Sequence, residues 1–130
     1  MRKSCIIIVF ALSIASANAQ QPTGMSILEI FDQFAISKSA ALSCLKPNTG
    51  LDQGYDENFK SVYDAAWQRL RKLKQSDVSN EQITQTLNKR ILFLRDKVTK
   101  DANTDGCDSK AYRELINLYK YHAVWNPFSK

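Results

Sequence analysis

Histidine is nearly absent from this 130-residue chain, which carries one, alongside three cysteines, three prolines, four glycines and two tryptophans. One histidine and a few distant cysteines leave no recognisable zinc spacing. No HExxH or GxSxG motif and no phosphate-cradling glycine loop occurs. Alternating apolar and polar residues, the mark of a half-buried strand, are missing from residue 20 onward, as are internal repeats and low-complexity tracts. Beyond the first nineteen residues no apolar run reaches the roughly 20 residues that span a bilayer. The most apolar segment, 31–45, is broken by Asp32 and Lys38.

What is present begins with an export signal. Arg2 and Lys3 give a positive start, Cys5 to Ala15 an apolar stretch, and Ala17-Asn18-Ala19 the small-x-small pattern that precedes signal-peptidase cleavage. Residues 1–19 are therefore expected to be removed. Residues 20–130 then form one domain, soluble, without a membrane span, and periplasmic or secreted. Cleavage removes Arg2 and Lys3 and lowers the net charge from +5 to +3. That is too mild to argue for nucleic acid. Cys5 leaves as well, and the remaining pair, Cys44 and Cys107, reads as a disulfide in an oxidising compartment.

Four helices are expected. Ser26 and Glu29 form a capping box, flanked by a Met25/Ile30 staple, ahead of an apolar stripe through Ile27, Phe31, Phe34, Ala41 and Leu45. Pro47 and Gly50 end this helix, and its Ser- and Ala-rich second half, 37–43, suits close helix approach. The second helix runs from Asp52 or Asp56 to Lys74, acidic at its start and basic at its end as the helix dipole favours. Ser79 and Gln82 open the third, whose stripe of Ile83, Leu87, Ile91, Leu94 and Val98 carries it to about Asp101. After Asn103 to Gly106 the fourth runs from Asp108 or Ser109 to about Tyr121.

Short connections make this an all-α, single-domain, up-down-up-down four-helix bundle stapled by one disulfide. That topology puts the end of the first helix and the start of the fourth together, where Cys44 and Cys107 lie. The bridge closes a 63-residue loop and contributes about 4 kcal/mol on the chain-entropy account.

No residue is singled out as catalytic. His122, near a helix C-terminus, reads as a surface residue favoured by the dipole, and nothing selects one carboxylate pair from 13 acids. Asp101-Ala-Asn103-Thr-Asp105-Gly106 resembles the first six positions of an EF-hand calcium loop, in which alternating oxygens turn inward around the cation. Tyr112 stands where the bidentate Glu belongs, so Asp101, Asn103 and Asp105 define at most a weak calcium site, and helix-end capping is the preferred account. No other cofactor is implied.

Two surfaces are candidates for a protein partner. Asp52, Asp56 and Glu57 join Asp101, Asp105 and Asp108 at the disulfide end and would suit a basic surface, although helix dipoles alone favour acids there. Tyr119, Tyr121, Trp125 and Phe128 put aromatics into the tail, where they either bind a partner or fold back over the core. In size, compartment and cysteine pair the chain resembles the small exported helical immunity proteins that neutralise cell-wall-degrading toxins. That implies a non-enzymatic protein that binds another protein, an inhibitor or immunity-type role; a weak calcium-binding module is the alternative.

Overall fold

A computed structural model describes residues 25–125. The expected signal segment and Phe128 lie outside the described residues. Within them the chain is an all-α four-helix bundle with α1 at Ile27–Cys44, α2 at Thr49–Lys74, α3 at Asn80–Asp105 and α4 at Lys110–Val124. A short 3-10 turn, Gln75–Asp77, links α2 to α3. None of these helices is long and apolar enough to cross a membrane.

Local chemistry accounts for most boundaries. The Ser26/Glu29 and Ser79/Gln82 capping boxes both form, so each helix start satisfies two otherwise unpaired N–H groups. Ser109 caps α4 by accepting from the Tyr112 amide. Three boundaries differ from the sequence reading. The second helix starts at Thr49 rather than Asp52 or Asp56, because the Asn48 side chain accepts from the Leu51 amide at 3.0 Å and the Asp52 carboxylate reaches back to the Asn48 amide at 3.4 Å. Gly50 therefore lies inside α2 and does not end α1. The third helix continues past Asp101 to Asp105 and stops at Gly106, whose φ of 84° suits a residue without a Cβ. The fourth runs three residues beyond Tyr121, to Val124.

α1 is the centre of the packing. It contacts all three other helices, whereas the backbones of α3 and α4, neighbours in sequence, approach little and the two are joined through side chains, Tyr112 donating its hydroxyl to the Val98 carbonyl. Two cores flank it. On one side Ala35, Ile36 and Ala40 meet Leu94 and Val98 of α3 and Tyr112 and Leu115 of α4. On the other, Phe31 and Phe34 meet Tyr55, Val62 and Ala66 of α2 and Tyr119 of α4. A helix wanted on several sides must be apolar or small nearly all round, and residues 33–37 of α1 are all buried. Of the small residues in 37–43, Ser37, Ser39, Ala40 and Ala41 are buried, while Leu42 beside them is 60% exposed.

Packing is tight elsewhere too. A Cβ on Gly54 of α2 would overlap the backbone carbonyl of Ala123 in α4, so glycine sets how closely these helices approach. Cys44 and Cys107 form the disulfide, with an S–S distance of 2.05 Å and Cα atoms 5.5 Å apart.

Candidate functional site

Polar groups concentrate where α1, α2 and α4 meet. Successive turns of α1 bring Phe34, Ser37 and Lys38 to this junction. Tyr55 of α2 donates its hydroxyl to the Phe34 carbonyl, and Ser37 Oγ lies 2.9 Å from Nδ1 of His122 in α4. The His122 ring stacks on Phe34 with centroids 3.7 Å apart, and its backbone carbonyl accepts from the Asn58 side chain at 2.7 Å. His122 is therefore not the exposed residue expected at a helix end. The helix runs past it and turns it inward, leaving it 3% exposed. Burial pushes its pKa down from 6.5 to about 3, so the ring is neutral at ordinary pH. Ser37 is fully buried beside it, and the pair ties α1 to α4.

The acids expected at the disulfide end divide among several tasks. Asp52 accepts a hydrogen bond from the Tyr119 hydroxyl, which holds its carboxyl below the usual range. Asp56 pairs with Lys38 at 3.7 Å, and the same ammonium lies over the Tyr55 and Tyr119 rings at 5.1 and 5.5 Å. Asp101 is buried, with Oδ2 lacking a hydrogen-bond partner. Of these six acids, Glu57, Asp105 and Asp108 are exposed and form no ion pair among the described residues.

The calcium-like pattern does not form a loop. Asp101, Asn103 and Asp105 continue α3, where residues two apart point about 200° apart around the axis. Asp101 faces the core and Asn103 solvent, so their oxygens do not converge. Among the described residues no group of three His, Cys, Asp or Glu side chains could hold a metal ion. The tail aromatics fold back as far as they are described. Trp125 stacks on Tyr121 at 5.8 Å and lies 5.9 Å from Phe34, covering the junction.

One surface was not anticipated. Leu92 and Phe93, adjacent in the middle of α3, are 61% and 58% exposed. The other large exposed apolar residues, Leu42, Leu73 and Val124, stand singly at or near the C-terminal ends of their helices, which is ordinary. Phe93 also has an anchored cation beside it. Arg90 makes a two-pronged contact to Asp32 of α1, with Nε–Oδ1 at 3.0 Å and Nη2–Oδ2 at 2.7 Å, and its guanidinium lies 5.7 Å from the Phe93 ring centre. The Asp32 hydrogen bonds hold the Arg90 pKa above its ordinary value, so the clamp stays charged.

The sequence did carry a signal for this face. Ile91 to Leu94 are four apolar residues in a row, and the core stripe uses only Ile91 and Leu94. The remaining two lie outside that stripe. No protein family, curated protein or solved structure matches the chain.

Proposed function

We propose that this chain is a non-enzymatic protein-binding domain of an exported, oxidising compartment, and that it docks through the outward face of α3. One observation carries the reading: Leu92 and Phe93 stand in solvent in mid-helix, with Arg90, anchored by Asp32, beside Phe93. An arginine anchored before binding loses little freedom on contact, and phenylalanine and arginine are both enriched at protein interfaces. The polar groups at the junction are committed to one another, and Tyr121 and Trp125 to covering it. The disulfide and the signal-like first nineteen residues support the compartment. An inhibitor or immunity-type role is one form such binding takes.

Photo-crosslinking in the native host tests this. A benzoylphenylalanine at position 93 is expected to join one defined protein, and the same probe at Gln53, on the exposed side of α2, is not. The captured protein, purified, should bind with a Kd below about 10 μM and lose at least about tenfold with Phe93→Ser. Equal adducts from both positions, or binding indifferent to Phe93, would overturn the reading.

A further inference from the structure

The charges around Phe93 select among partners. Residues 89–100 contain five cations, Lys89, Arg90, Arg95, Lys97 and Lys100, against one anion, Asp96. Four of the five follow the helical period around the ring. Lys89 and Arg90 lie four and three residues before Phe93, Lys97 and Lys100 four and seven after it, so they share its face of α3. Arg90 is neutralised by Asp32 and Lys100 is bridged to Asp96 at 3.2 Å. Lys89 and Lys97 form no ion pair among the described residues, and neither does Arg95 beside Leu92.

From this arrangement we infer that the α3 face takes an acidic protein surface, one in which carboxylates rim an apolar recess that receives Phe93. The inference rests on the docking reading above and adds the chemistry of the partner. A second copy of the chain is disfavoured, because pairing two such faces brings the unpaired lysines of each toward those of the other. Opposite charge instead speeds encounter and sets the register in which Leu92 and Phe93 seat. The direction is also the reverse of that expected from the acids of the disulfide end: the partner is acidic, not basic.

The test uses the full chain and two synthetic amphipathic peptides with the same leucine stripe, one edged with Glu and one with Lys. The Glu-edged peptide is expected to bind about tenfold or more tighter, with affinity falling as salt rises. In K89E/K97E/K100E, checked for an unchanged melting curve, the preference should invert. A second variant, Phe93→Ser, should weaken the Glu-edged peptide while leaving the sign of the preference intact. Absence of a preference, or one unchanged by the reversal, overturns the inference. So does cosedimentation with phosphatidylglycerol-rich vesicles when the peptides do not bind, since the face would then serve an anionic membrane. A concentration-dependent dimer abolished by Phe93→Ser overturns it in favour of a second copy. If the crosslinked partner loses affinity with Phe93→Ser but not with the charge reversal, the docking reading stands and the acidic-partner inference alone fails.

Discussion

Phe34 and Phe93 are the same side chain in the middle of two helices of one bundle, and their surroundings are opposite. Phe34 is fully buried, with Tyr55, Phe59, His122 and Trp125 around its ring. Phe93 is 58% exposed, with one guanidinium beside it. The difference follows from how the helices share contact. α1 touches every other helix and has no free side at its middle, whereas α3 packs chiefly on α1 and keeps a broad outward face. Polar groups follow the same division: the histidine, two tyrosines and a serine are turned inward around Phe34, while mid-α3 offers solvent an apolar pair framed by cations. The buried polar groups tie helices together, and the apolar pair left in solvent is one that a core pattern passes over.

Removing Phe34 gives the largest expected effect. Phe34→Ala deletes a fully enclosed ring from a close-packed site that cannot fully collapse, and should cost about 3–5 kcal/mol of unfolding free energy in urea titration. A cost below about 1 kcal/mol would mean that the junction repacks freely and that its rings are not the organising contact.

Acid probes the same region through His122. Its folded pKa of about 3 lies below the ordinary 6.5, so the unfolded chain takes up a proton that the folded chain refuses. The associated stability is complete above about pH 6.5 and is lost as pH falls from there toward 3. Between pH 7 and 4.5 the loss should be roughly 2–3 kcal/mol. No other histidine titrates in that window, so His122→Gln should largely flatten the profile. A histidine Cε1 proton signal that titrates near pH 6.5 in the folded protein would show that the ring is not sealed.

The four-helix plan was legible because its signals are local. Two capping boxes, the Ser109 cap, the apolar stripes and the cysteine pair each depend on residues a few positions apart or on one topological step. The errors arose where a residue's role is set from a distance. Gly50 reads as a helix stop until Asn48 is recognised as the cap. His122 reads as a dipole-favoured end residue until α1 supplies Phe34 and Ser37 from 85 or more positions earlier. Asp101 to Gly106 reads as a loop because its residue types recur in loops, yet with only Gly106 able to break it, the helix continues to Asp105. Leu92 and Phe93 were hidden for a different reason. Periodicity identifies which residues the core uses, and an exposed apolar pair is visible only as what the stripe leaves over.

The smallest effect on stability is expected at that pair, and it completes the contrast with Phe34. Phe93→Ser removes a ring that buries little, and serine and phenylalanine have similar helix propensities. Arg90 keeps its two contacts to Asp32 without the ring, so the link between α3 and α1 stays intact. Unfolding free energy should therefore change by no more than about 0.5 kcal/mol, even as binding through the α3 face falls. A loss of 2 kcal/mol or more in the isolated protein would make Phe93 part of the core, and the distinction between a face that holds the bundle together and one that meets a partner would no longer stand.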